Sequence, residues 1–114
     1  MNNSIYTTYI TGISGNSLAL IIFFNGYIGG ADIGGGIYDG FYEIDEEDQK
    51  IKGEIRFTVP VNVSSITGLP PQAVPTSFQV PINLPSTLDP KEIYRIETPT
   101  GPVNVRFVKL RDME

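Results

Sequence analysis

Apolar and polar residues alternate with a period of two along most of the chain, and no long window shows the spacing of a helix. The clearest case runs from Ile51 to Val59. Ile51, Gly53, Ile55, Phe57 and Val59 share one face, with Lys52, Glu54, Arg56 and Thr58 on the other. That is the pattern of an antiparallel strand with one face in the core and one in water. Ile37 to Ile44 repeats it, with Tyr38, Gly40, Tyr42 and Ile44 together. Ile5 to Thr11 alternates Tyr and Ile with Thr, residues that suit a pleated surface. Asn25-Gly26 predicts a two-residue hairpin turn leading into a short strand, Tyr27 to Asp32. Ser77 to Asn83 reads as an edge strand, because Pro81 cannot donate to a ladder. Glu92 to Glu97 and Val103 to Leu110 predict a last hairpin across residues 98–102.

These segments predict an all-β fold of about eight short strands in a meander, either a sandwich or a closed barrel. Regular hairpins favour a small antiparallel up-and-down barrel, which also removes exposed edges. At 114 residues, the whole chain (1–114) is expected to be one domain. One region breaks the regularity. Residues 60–90 hold seven of the nine prolines, and 60–76 predict a long irregular connection. Asp89 before Pro90 would suit the start of a helical turn over residues 88–91.

Leu18 to Phe24 is the longest apolar run and is apolar on both faces. One face belongs in the core, and the other needs a cover. Either a second copy of the chain or the proline-rich connection would supply it. The homodimer is the preferred expectation, with Ala19, Ile21 and Phe23 as the candidate dimer face. At seven residues the run is far short of the roughly 20 needed to span a bilayer. The first residues carry no positive charge ahead of an apolar stretch. The expected location is the cytoplasm.

Charge changes the picture in one respect. The net charge is -5, yet no Lys or Arg precedes Lys50, while seven acids do. An acidic domain without a basic stripe argues against direct nucleic-acid binding and against docking on an anionic membrane. The chain has no cysteine, so thiolate metal sites and disulfides are excluded. It also has no histidine, which removes the commonest general base and zinc ligand and makes a serine triad impossible. No enzymatic activity, metal or cofactor is expected. A hydrolase built on paired carboxylates has only the clustering of acids in its favour, and adjacent loop acids do not face one another across a cleft.

Two clusters remain. Seven glycines fall between Gly26 and Gly40, but without the lysine, hydroxyl residue and helix of a phosphate loop. They read as turn residues, with Gly40 relieving crowding where a small barrel bends. Asp45, Glu46, Glu47 and Asp48 lie between two strands as a solvated loop lacking the ligand spacing of a calcium motif. An acidic loop with no basic residue before it could dock a basic partner.

Asn25-Gly-Tyr-Ile-Gly-Gly-Ala-Asp32, then Tyr38-Asp-Gly-Phe-Tyr42, the acidic loop and the strand to Val59 resemble the small bacterial GrlR-like family. That family is associated with negative regulation of type III secretion genes. Its Gly-Gly-Asp turn has one residue inserted here, Ala31. The resemblance implies a lipocalin-like barrel that forms a homodimer. It also implies sequestration of a transcriptional activator, expected to be basic, through an acidic loop that corresponds to Asp45, Glu46, Glu47 and Asp48. The leading expectation is therefore a non-enzymatic protein-binding module. The alternative is a barrel that holds one hydrophobic small molecule, lined by Ile5, Tyr9, Tyr38, Tyr42, Ile55 and Phe57.

Overall fold

Period-two alternation bounded by tight turns produces eight strands: β1 (Ser4–Gly12), β2 (Gly15–Phe24), β3 (Tyr27–Asp32), β4 (Ile37–Asp45), β5 (Lys50–Val59), β6 (Thr76–Pro85), β7 (Tyr94–Thr98) and β8 (Gly101–Asp112). The computed structural model of the protein describes residues 3–113; Met1, Asn2 and Glu114, the ends of the expected domain, lie outside the described residues. Among the described residues there is no helix. The expected turn after Leu88 is a single turn, in which Asp89 accepts from the Lys91 amide (2.9 Å) without a helix following.

All pairings are antiparallel, and the strand order is β6-β5-β4-β3-β2-β1-β8-β7. Because β1 pairs with β8 as well as with β2, the meander curls round, and β6 and β7 approach each other to leave a barrel that is nearly closed. β6, with Pro81 and Pro85, takes one edge of the sheet, where a missing donor does least harm. The Asn25-Gly26 turn has the left-handed geometry that a two-residue hairpin requires, φ 50° then 86°. Gly40 also meets its expectation: a Cβ there would strike the Glu54 carbonyl. It and Gly53, where a Cβ would strike the Phe41 carbonyl, let β4 and β5 approach closely. Neither opens space inside the barrel, contrary to what small residues on an inner face suggest.

Hairpin registers fix which face of each strand turns inward. The inner set includes Tyr6, Ile10, Ala19, Ile21, Phe23, Ile28, Tyr42, Ile51, Ile82, Leu84, Val105 and Phe107. Two expectations are overturned. Ala19, Ile21 and Phe23 are 2%, 4% and 1% exposed and belong to the core, so they cannot form a dimer face. The outer face of β2 is Leu18, Leu20, Ile22 and Phe24. Ile5 and Tyr9 also point outward, Tyr9 beneath the Arg106 guanidinium at 4.7 Å. Both errors are one-residue errors of register, which exchange the two faces of a strand.

Candidate functional site

The two ends of the barrel are built differently. At the end carrying the β2–β3 turn, the acidic loop and the β6–β7 link, aromatic rings fill the interior. Phe23 meets Tyr6 and Tyr42 edge-on at 5.7 and 5.4 Å, and Tyr6 meets Phe107 at 5.9 Å. Such contacts add to the burial of large apolar area. Leu88, 7% exposed, packs in from the β6–β7 link.

At the other end a cavity of about 430 Å³ lies within the barrel. Its walls are apolar, among them Ile10, Ile21, Ile55, Phe57, Val80 and Val103, with Phe23 and Phe107 toward the aromatic end. The expected lining residues divide accordingly. Tyr38, Ile55 and Phe57 line the cavity, Tyr42 is buried in the aromatic cluster, and Ile5 and Tyr9 face out. Val63 to Thr67 of the proline-rich connection also line the cavity and form its roof. The connection is held to the barrel at two places. The Ser14 amide in the β1–β2 turn donates to the Ile66 carbonyl (2.7 Å), and the Thr67 hydroxyl bonds that of Thr100 in the β7–β8 turn. Within the roof, the Leu69 amide donates to the Ser65 hydroxyl (3.0 Å). Prolines suit this segment because it needs few ladder donors and gains from a restricted backbone.

Asp32, at the rim, organises the β3–β4 loop. Its Oδ1 accepts from the Gly34 and Gly36 amides (3.0 and 2.8 Å), and its Oδ2 accepts from the Tyr38 hydroxyl (2.9 Å). Burial, and then the charge of the adjacent Asp32 carboxylate that accepts its hydrogen bond, push the Tyr38 hydroxyl pKa far above the ordinary 10.0. Tyr38 is therefore a fixed donor and not a base. The sequence reading missed Asp32 as a cavity residue; its signal was an Asx turn, Asp followed two and four residues later by Gly. The deeper polar member is Thr8, 2% exposed and lining the cavity. It sits on the β1 face that the sequence reading took to be outward.

The acidic loop lies at the filled end. Asp45 Oδ1 accepts from the Glu47 and Asp48 amides (3.1 and 3.2 Å), which folds the loop as a local turn. Lys52 Nζ bridges Asp45 and Asp48 at 2.9 Å each. The hydrogen bond from Lys52 holds the Asp45 carboxyl below the usual carboxylate range, and Asp45 in turn raises Lys52. The four acids are thus not a field of one sign: two are paired, while Glu46 and Glu47 stay exposed and make no ion pair among the described residues.

Outside the barrel, cross-strand partners continue the apolar face of β2. Phe24 faces Tyr27, which faces Phe41, and Leu20 faces Ala31, which faces Ile37. Leu20, Tyr27, Ile37 and Phe41 are 46%, 70%, 55% and 57% exposed. Among the described residues no cluster of three or more His, Cys, Asp or Glu could hold a metal ion, and no helix is long and apolar enough to cross a membrane. No family model, curated protein or solved structure matches the chain.

Proposed function

We propose that the protein is a non-enzymatic binding barrel that holds one small, largely apolar molecule beneath the proline-rich roof. The observation that carries this reading is the cavity of about 430 Å³ with apolar walls and a polar rim. Ligand sites fall in the range of roughly 300–1,000 Å³ and combine apolar walls with a few placed polar groups. A void this size lined by Ile, Val and Phe gives up contact with its own walls, and an apolar guest restores it. The rest of the interior is filled by rings, so the space lies at one end and not throughout the barrel.

Native mass spectrometry of gently purified protein, alone and with the neutral fluorophore N-phenyl-1-naphthylamine, tests the reading. A one-to-one adduct and a blue-shifted, enhanced emission are expected. Absence of both at saturating probe would overturn it.

A second reading places a basic protein partner at the filled end, in the manner of the GrlR-like resemblance. Glu46 and Glu47 support it, since they are exposed and outside the Lys52 ion pairs. Reversing both to Lys should abolish capture of such a partner while leaving fluorophore binding unchanged. Capture that survives the reversal would remove this reading.

A further inference from the structure

Thr8 is the one residue among those described with a buried side-chain oxygen or nitrogen lacking a hydrogen-bond partner. Native proteins leave few such groups, because burying a hydroxyl unpaired forfeits its hydration with nothing in return. Nothing among the described residues bonds to it. Its cross-strand partners are Ala19 and Phe107, and the next inward residues on its own strand are Tyr6 and Ile10. Tyr6 directs its hydroxyl to Ser4, one pleat further from the cavity. A valine there would fill the same shape without the penalty.

We propose, resting on the cavity reading above, that Thr8 is a ligand-anchoring residue: its Oγ1 is closed off from open space in this structure, and the contact forms once rotation about χ1 exchanges hydroxyl and methyl and turns the oxygen toward the cavity. The natural ligand class is then an uncharged amphiphile whose single hydroxyl or carbonyl oxygen reaches Thr8 while its hydrocarbon body fills the apolar walls. A threonine hydroxyl both donates and accepts, so it serves an alcohol and a ketone alike.

Charge selects against ionised relatives. No Lys or Arg lines the cavity, and the one ionisable acid there is Asp32. A carboxylate ligand would meet that acid with no cation to offset it. An ammonium ligand would be drawn to Asp32 at the rim, away from Thr8, where three hydrogen bonds from Gly34, Gly36 and Tyr38 already offset part of the carboxylate's charge. The deep position of Thr8 adds direction, with the polar atom buried and the chain leading toward the roof.

The test is displacement of N-phenyl-1-naphthylamine at pH 7.5 by decan-1-ol, decanoate and decylammonium. Decan-1-ol should displace best. Thr8→Val should weaken decan-1-ol about fivefold relative to the fluorophore affinity of the same variant, the share of one hydrogen bond. Thr8→Ser, which keeps the hydroxyl, should restore most of the loss. Thr8→Val should also raise Tm, since it removes the unpaired group. Tighter binding of either charged chain, or decan-1-ol affinity unchanged relative to the fluorophore in Thr8→Val, would overturn the assignment while leaving the cavity reading intact. Failure of the fluorophore to bind the unsubstituted protein would remove both.

Discussion

The filled end and the hollow end of the barrel use the same strands, yet they do different work. At the filled end Phe23, Tyr6, Tyr42 and Phe107 interlock, and the connecting link contributes Leu88. At the hollow end Tyr38 and Phe57 pack together at 4.8 Å beside aliphatic side chains that line a void, and the proline-rich connection closes over it. The strands carry large and small inward residues in an uneven distribution along the axis. Stability is concentrated where rings fill the section, which frees the other end to keep a void. A barrel of this strand number has room either for its own side chains or for one ligand; here the two solutions are stacked.

Substitutions on either side of that boundary should differ in kind. Phe23→Ala deletes a ring that is 1% exposed and touches two others, and should destabilise by about 3–5 kcal/mol in urea unfolding. Val80→Phe adds volume facing the cavity and should leave stability within about 1 kcal/mol, because the new ring enters existing space and forces no overpacking. It should also abolish fluorophore binding. Equal losses of stability for the two variants would erase the distinction between the ends.

Tyr38→Phe probes the rim. It removes a hydrogen bond to the Asp32 carboxylate and should lower stability by about 2 kcal/mol at neutral pH. The alkaline limb gives a sharper reading. Folded Tyr38 keeps its proton above the pH at which an unfolded tyrosine, ordinary value 10.0, loses it. Its contribution is complete below that pH and is lost as pH rises above it, by at most about 1.4 kcal/mol per pH unit. Tyr38→Phe should flatten the fall, with a residual slope from Tyr6, which burial also raises. An unaltered alkaline limb would contradict the buried donor.

The outer apolar face gives a further test. Leu20→Asp places a charge among Leu18, Ile22 and Ala31 on the exposed side of β2 and β3. Sedimentation should show a homodimer dissociating to monomer with little change in Tm; a monomer before and after would retire the dimer expectation. The smallest effect belongs to Lys52→Ala at the acidic loop. Both of its ion pairs are solvent-exposed, so Tm at neutral pH should not move measurably. Asp45, held low by Lys52, contributes in full above its ordinary range, and that contribution is lost as pH falls from there through the depressed value.

Much of the barrel was legible along the chain. β5 and the inner face of β4 follow from strict alternation, the β2–β3 turn from Asn25-Gly26, and the edge position of β6 from Pro81. The cavity was legible only in part. Tyr38, Ile55 and Phe57 lie on strands whose two faces differ in polarity, so their direction can be read. β1 offers no such contrast: Ile5 and Tyr9 on one face mirror Tyr6 and Ile10 on the other, each set separated by Thr. β2 is apolar on both faces. In both strands residue type cannot decide direction, and the wrong face was chosen.

Local chemistry determined by itself that the chain is all-β, where most strands begin and end, and that histidine and thiol chemistry are absent. These depend on neighbours within a few residues: alternation, turn geometry and composition. Tertiary structure alone decided which way β1 and β2 face, that Thr8 is buried without a partner, and that the proline-rich segment roofs a cavity. The reason is that strand direction is passed on through register. Ile55 faces Gly40, Gly40 faces Ile28, Ile28 faces Phe23, and Phe23 faces Ser4. Each pairing carries the inward sense of β5 to the next strand, and a single residue's shift at any turn would have reversed it for every strand beyond.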